Sequence, residues 1–188
     1  MRPEFMLHVL SILVNRSLRS SRVHNYAARY QDNCASQTRR ETAPARFKMA
    51  SDCIFCNIIS GKHPNELIYE DEELVIFKDI KPAAEHHYLA VTKRHIKNVN
   101  ELTTNDKELV EKLMEVGKRV LQELGADVND LRMGFHVPPF NSISHLHLHL
   151  ITPTTGMGFL SRRIFQPNTW WFATAEYILA NLKKPSHI

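Results

Sequence analysis

Three histidines alternate with leucines near the carboxyl end of the sequence, at His145, His147 and His149. Alternate side chains of an extended strand share one face, so we expect the three imidazoles on one side and the leucines in a core. A row of imidazoles is a poor choice for a purely structural strand, because each buried ring needs a hydrogen-bond partner. The spacing is compatible with a metal site, a nucleophilic site or an exposed polar face.

A longer pattern resembles a known family of proteins. Residues 145–151, His-Leu-His-Leu-His-Leu-Ile, match every position of the histidine-triad motif, in which histidines alternate with apolar residues. The block 77–96, with its Asp-Ile-Lys-Pro turn and a following histidine strand, is similar to another characteristic block of that family. The similarity runs from about Cys53 to about Pro153, and within the family the sequence resembles the Hint branch.

This resemblance implies nucleotidyl transfer, with His147 attacking the α-phosphorus of a nucleotide. A neutral imidazole is a competent nucleophile near neutral pH, since its ordinary pKa is about 6.5. The resulting nucleotidyl-histidine would be hydrolysed by water, which divides one difficult displacement into two steps. By the same resemblance, His149 helps to hold the phosphate, His87 supports the catalytic histidine from a neighbouring strand, and His145 completes the catalytic triad.

The resemblance also assigns residues that bind the nucleotide. Asp79 matches a carboxylate that accepts hydrogen bonds from the ribose hydroxyls, and this interpretation is favoured over the alternative that it caps the turn before Pro82. The expected walls of the base pocket are apolar residues that could also be ordinary core. They are Phe55, Ile58, Phe77 and Ile80.

The segment before the triad departs from the branch. Many members have a glycine-rich loop here, whereas this chain has Pro138 and Pro139, and Asn141 stands in place of the usual glutamine. Asn141 is a predicted nucleotide contact. Ser142 matches a serine near the phosphate and the leaving group, with a plain loop serine as the alternative. We therefore expect the leaving-group pocket to differ from that of other members.

Cys53 and Cys56 have the spacing of half a zinc site. The resemblance to some, mostly microbial, members adds His95 and His145 as the other two ligands. Such a zinc ion would be structural, and no cofactor is expected to be required for the chemistry. The alternative is a pair of small core residues on a short helix, because cysteine packs well in apolar surroundings.

The basic character of the chain lies in its first 48 residues. The whole chain has a net charge of +4, but residues 49–188 contain fifteen Lys and Arg against seventeen Asp and Glu. Residues 49–188 therefore lack the basic footprint of a nucleic-acid-binding protein, and no apolar run is long enough to span a membrane. Residues 1–48 are interpreted as a disordered extension, a mitochondrial presequence or sequence upstream of a start at Met49.

The remaining sequence predicts one α+β domain over residues 49–188, with its core at 53–153. We expect an antiparallel sheet of about five strands with helices at 54–59, 105–124 and about 173–182. The catalytic strand is predicted at 144–152. Thr103 and Asp106 have the spacing of a helix N-cap, and Gly125 is expected to end the long helix.

The leading functional hypothesis is an adenosine 5'-monophosphoramidase that acts on a purine nucleoside phosphoramidate or an aminoacyl-adenylate. The alternatives are a dinucleoside polyphosphate hydrolase, an adenylated-DNA hydrolase and a non-catalytic nucleotide-binding scaffold. The resemblance implies a homodimer in the cytoplasm and nucleus, paired through the long helix. Val110, Met114 and Leu121 could supply a second apolar helix face, unless one broad face is buried in the monomer. The aromatic cluster at 170–172 is another candidate contact.

Overall fold

The computed structural model describes residues 53–185. Its centre is a six-stranded antiparallel sheet in the order β1-β2-β3-β5-β4-β6. The strands are β1 (Leu67–Glu70), β2 (Leu74–Lys78), β3 (His86–Thr92), β4 (Arg132–His136), β5 (His147–Thr152) and β6 (Phe172–Thr174). The helices are α1 (Ile54–Ile59), α2 (Lys107–Glu123), α3 (Phe159–Ile164) and α4 (Ala175–Ala180). The predictions for residues 1–48 lie outside the described residues.

The long helix α2 covers one face of the sheet. Its buried positions include Leu113 and Val120, which pack with Leu148 and Leu150 of β5 in the main hydrophobic cluster. Gly117 permits close approach, because a Cβ at that position would lie 2.7 Å from a Leu150 methyl carbon. The leucines of the triad strand therefore face the helix, as predicted, and the histidines at 147 and 149 occupy the opposite face.

The start of α2 confirms the predicted cap. Thr103 and Asp106 form a capping box around a short 3₁₀ turn at Thr104–Asp106, and the α-helix follows directly. The box satisfies backbone N–H groups that have no partner within the first turn of a helix. Gly125 follows the helix with a φ of +80°, a conformation that glycine adopts without a steric cost.

The α+β fold class is confirmed, but several boundaries were wrong. The sheet has six strands rather than about five, because residues 172–174 form β6 instead of the start of the last helix. The Thr174 side chain accepts from the Tyr177 N–H, so the helix begins only at Ala175. Helix α3 was not predicted. The catalytic strand begins at His147 rather than Ser144, since the Leu146 N–H bonds to Ile96 ahead of the ladder.

Of the two alternatives for the apolar residues of α2, the structure shows one broad buried face. Val110 and Leu121 are fully buried within this chain, so one broad helix face packs in the monomer. Phe172 is likewise buried, whereas Trp170 is 69% exposed. The homodimer and the cytoplasmic and nuclear location stay predictions. Within residues 53–185, no helix is both long and apolar enough to cross a bilayer.

Candidate active site

His147 lies at the start of the central strand β5, with its side chain 7% exposed. Its Nδ1 is 2.6 Å from the carbonyl oxygen of His145. A carbonyl only accepts, so the Nδ1 of His147 must carry the proton and donate it. The other ring nitrogen, Nε2, consequently holds a lone pair in the neutral side chain. This is the tautomer that a nucleophilic imidazole requires.

His149 lies two residues after His147 on β5, and His87 sets its tautomer. The backbone N–H of Ala83 donates to His87 Nδ1 at 3.0 Å, which leaves the proton of neutral His87 on Nε2. His87 Nε2 is 2.9 Å from His149 Nδ1 and therefore donates to it. The proton of neutral His149 is then on Nε2. That buried atom has no hydrogen-bond partner within the described residues.

A buried donor without a partner is costly, typically about 1–3 kcal/mol. The Nε2–H of His149 is therefore the feature of the site that most directly calls for an external acceptor, such as a phosphate oxygen. The predicted role of His87 changes in one respect. Its hydrogen bond is to His149 rather than to the predicted nucleophile, so it supports the histidine that is predicted to hold the phosphate.

Asp79 performs the turn role that the sequence left open. Its Oδ1 accepts the Lys81 N–H at 2.8 Å, in the turn before β3. Its other oxygen, Oδ2, is 3.4 Å from His87 Nε2 and 3.9 Å from His149 Nδ1. The carboxylate therefore borders the histidine pair. The predicted contact with a ribose is compatible with this position and stays a prediction.

Burial keeps the site histidines neutral. Desolvation lowers the pKa of His147, and the charge of neighbouring His136 adds to this effect. The pKa of His149 is well below 6.5 because of burial and the adjacent His147 and His87. Burial also lowers the pKa of His87, although the Asp79 carboxylate opposes it. Neutral imidazoles at pH 7 provide one lone pair and one directed N–H each.

His136 is a fourth histidine of the site that the sequence did not identify. It ends β4, with its ring centroid 5.0 Å from that of His149. Its Nδ1 is 3.2 Å from the Trp171 carbonyl and donates to it. Gly134, two residues earlier, pairs directly with His149, which brings the His136 ring to the same face. His136 lies outside the triad motif, so the sequence could have assigned it to the site only if the register of β4 against β5 had been known.

Aromatic side chains enclose the site around His149. The Phe165 ring lies 5.2–5.3 Å from the rings of His87, His136 and His149. Phe172 closes the same cluster from β6, 5.5 Å from Phe165. These rings exclude water around the imidazoles, which strengthens their hydrogen bonds. Neither phenylalanine was predicted, because both lie in elements beyond the recognised core.

The predicted base residues divide into two groups. Phe55, Ile58 and Phe77 pack in one buried cluster between α1 and the sheet, and the Phe55 ring meets the His147 ring edge-on at 5.2 Å. Ile80 lies apart from this cluster and is 93% exposed. The described structure thus brings three of the four residues together. Their role in binding a base stays a prediction.

The loop residues of the prediction lie before the triad strand. Asn141 is half-buried, lines a small cavity with His136 and His147, and donates from Nδ2 to the Ile143 carbonyl. Ser142 is exposed on this loop. No hydrogen bond within residues 53–185 links Ser142 to the histidines, so its predicted role near the leaving group stays a prediction.

The four predicted metal ligands do come together. Cys53, Cys56, His95 and His145 offer ligand atoms within 4.8 Å of one another. His145 Nε2 is 2.6 Å from the Thr92 carbonyl, so it donates there and leaves the Nδ1 lone pair facing the two thiols. Burial lowers the pKa of His145 to about 4. Two sulfurs and two imidazole nitrogens fit a tetrahedral zinc ion.

This geometry separates His145 from the other triad members. Both of its ring nitrogens are directed to Thr92 and the cysteines, so its side chain is not available to a substrate phosphate. Its carbonyl oxygen nevertheless fixes the His147 tautomer. The side chain of His145 therefore faces the cysteine cluster, while its backbone carbonyl holds the ring of the predicted nucleophile, His147.

Comparisons with known proteins identify similar chains. The sequence profile of the family described as "Scavenger mRNA decapping enzyme C-term binding" matches residues 52–165. The chain is 47% identical over 137 residues to "Adenosine 5'-monophosphoramidase HINT3" of Mus musculus, covering 71% of this chain and 83% of that protein. It is 46% identical over 99 residues to "Bifunctional adenosine 5'-phosphosulfate phosphorylase/adenylylsulfatase HINT4" of Arabidopsis thaliana, covering 52% and 67%.

Solved structures show the same fold. A HIT family hydrolase from Legionella pneumophila superposes with a TM-score of 0.52 and 30% identity, covering 63% of this chain and all of that one. A HIT family hydrolase from Clostridium thermocellum gives a TM-score of 0.51 and 32% identity, covering 54% and 90%. The chain belongs to the histidine-triad family of nucleotide hydrolases.

Proposed function

We propose that this chain hydrolyses adenosine 5'-monophosphoramidates through a nucleotidyl-histidine intermediate on His147. The observation that carries the proposal is the pair of fixed tautomers on β5. A lone pair at His147 Nε2 stands next to an unpartnered donor at His149 Nε2. The vertebrate relatives named adenosine 5'-monophosphoramidase support the choice of substrate class.

In the proposed first step, His147 Nε2 forms a bond to the α-phosphorus while the phosphorus–nitrogen bond breaks. The amine leaves with the bonding electron pair and takes up one proton from solvent, and the attacking water returns one proton to solvent in the second step. Water then displaces His147 and releases AMP, so the net reaction consumes one water molecule. His149 Nε2–H stabilises the charge on a phosphate oxygen during both steps, and the dry aromatic wall strengthens that interaction.

A substrate panel tests this function. The panel contains an AMP–amine, AMP–sulfate, a dinucleoside polyphosphate and an adenylated DNA, because the plant relative is named for an adenylylsulfate activity. We expect the parent to turn over the AMP–amine with the highest kcat/KM, and His147→Asn to lose activity on it. A His147→Asn protein as active as the parent would refute the mechanism. Faster turnover of another substrate would reassign the substrate class.

We also propose that Cys53, Cys56, His95 and His145 hold a structural zinc ion. Zinc would link α1 to the segment before β5 and supply cross-linking rather than chemistry at phosphorus. Metal analysis of purified protein tests this directly, with Cys56→Ser as the variant. We expect one zinc per parent chain and a lower melting temperature in the variant. Parent protein with no zinc, and with the same melting temperature after chelation, would contradict the proposal.

A further inference from the structure

A groove opens beside the active site at the β4–β6 end of the sheet. It has a volume of about 350 Å³ and is lined by His136, Phe140, Arg163, Ile164 and Trp171. His136 is also part of the histidine cluster, since its ring lies 5.0 Å from that of His149. The groove and the predicted phosphate site therefore share a wall.

The walls of the groove are aromatic and firmly held on one side. Trp171 Nε1 donates to the carbonyls of Arg163 and Ile164 at 3.2 Å and 3.1 Å, which fixes its indole against α3. Phe140, on the loop before the triad, is 41% exposed and meets the Trp170 ring edge-on at 4.5 Å. Planar aromatic faces with ring edges nearby favour an aromatic ligand over a flexible aliphatic one.

The charge of the groove is positive. Among the described residues that line it, Arg163 is the only Lys or Arg, and none is Asp or Glu. Within residues 53–185, the recorded side-chain partner of the Arg163 guanidinium is the neutral Gln166 oxygen at 3.4 Å. A guanidinium is well suited to bind a carboxylate in two-pronged geometry.

The position of the groove indicates which part of a substrate it meets. The apolar cluster around Phe55 and Phe77 lies on the β2–β3 side of β5, whereas the groove lies on the β4–β6 side. His147 and His149 stand on β5 between them. A nucleoside on the first side and a phosphate at the histidines would place the departing group in the groove.

Resting on the proposed function, we propose that this groove is the leaving-group subsite and selects amines that carry both an aryl side group and a carboxylate. The subsite is formed by the loop and α3 rather than by the triad. The sequence difference at 138–141, where prolines and Phe140 replace a glycine-rich loop, supplies one of its walls.

Three AMP–amine substrates test the proposal: AMP linked through nitrogen to phenylalanine, to phenethylamine and to butylamine. For the parent we expect kcat/KM to decrease in that order, by roughly tenfold at each step, the factor that corresponds to one good aromatic or charged contact. Phe140→Ala should reduce kcat/KM for both aromatic substrates about tenfold and leave butylamine unchanged. Arg163→Gln should reduce it only for the phenylalanine substrate.

Leu160→Ala is the matched control, because Leu160 is 69% exposed on the same helix as Arg163 and does not line the groove. It should retain the parental order of substrates. Equal turnover of the three substrates by the parent, or an unchanged order in Phe140→Ala, would overturn the subsite alone. If the parent turned over none of the three AMP–amines, the proposed function would be overturned as well. If Phe140→Ala changed the sedimentation coefficient but kept the parental order of substrates, the groove would be a contact between two copies of the chain, and the subsite proposal would be overturned.

Discussion

Replacing His87 tests whether tautomer control at His149 contributes to catalysis. In His87→Met, the His149 Nδ1 loses the donor that now lies 2.9 Å away, and no group replaces it. In His87→Gln, the side-chain amide can still donate to that nitrogen. The two variants therefore differ mainly in the hydrogen bond that holds the proton of His149 on Nε2.

The size of the effect follows from that one bond. A buried neutral hydrogen bond contributes about 1 kcal/mol, which corresponds to roughly fivefold in the population of the favoured tautomer. We expect kcat of His87→Met to fall by up to about fivefold, and His87→Gln to remain within about twofold of the parent. Removing the donor itself in His149→Ala should cost about 100- to 1000-fold, the usual effect of losing a donor to transition-state charge.

Steady-state turnover of an AMP–amine measures the rate effect, and nitrogen NMR of the His149 ring measures the tautomer. Both variants can also lose the hydrogen bond that the Ala83 N–H donates to His87 Nδ1, although the glutamine side-chain oxygen could accept it. Melting temperatures of the two variants control for any loss of stability from this contact. The tautomer reasoning is refuted if His87→Met keeps the parental kcat and the parental ring spectrum. It is also refuted if the glutamine variant is as slow as the methionine variant.

Three further predictions concern pH and packing. Because burial lowers the pKa of His147, kcat/KM should stay constant from pH 8 to about 6.5 and fall only below that. As the pH decreases below 6.5, the free energy of unfolding should decrease, because His145 and His149 bind protons in the unfolded chain but stay neutral when buried in the folded one. The loss is at most about 1.4 kcal/mol for each unit by which burial lowers a pKa. Melting of chelator-treated protein at pH 7.5 and pH 5 checks this, and equal stability at the two pH values would contradict it. Gly134→Ala should cost about 1–3 kcal/mol, since its Cβ would lie 2.7 Å from the Ala173 carbonyl oxygen, and should slow turnover through the adjacent His149. Chemical denaturation and kcat check this substitution, and parental values of both would contradict it.

The central part of the fold could be predicted because local signals agreed with burial. The alternation of histidine and leucine placed Leu148 and Leu150 in the core, and Thr103 with Asp106 marked the start of the long helix. Short elements could not be predicted in the same way. Three residues of β6 carry no periodicity, and that strand exists because His136 and Phe172 pair in a register set by the whole sheet.

The site was predicted only as far as the recognised motif extends. His147, His149 and the cysteine cluster follow from spacing and resemblance, and the described structure brings each group together. His136, Phe165 and Trp171 join the site through tertiary contacts between β4, β6 and α3. No spacing rule in the sequence relates these three residues. The sequence likewise did not show that the side-chain hydrogen bond of His87 is to His149.

The central claim is that His147 forms a covalent bond to the nucleotide. Rapid quenching of the parent in alkaline denaturant during turnover of a labelled AMP–amine, followed by peptide mass analysis at high pH, tests it most directly, because the phosphorus–nitrogen bond to an imidazole survives in alkali and breaks in acid. We expect label on the His147 side chain in the parent, and no labelled peptide in His147→Asn. Steady turnover by the parent with no labelled peptide at any quench time, or with the label on another residue, would contradict the account.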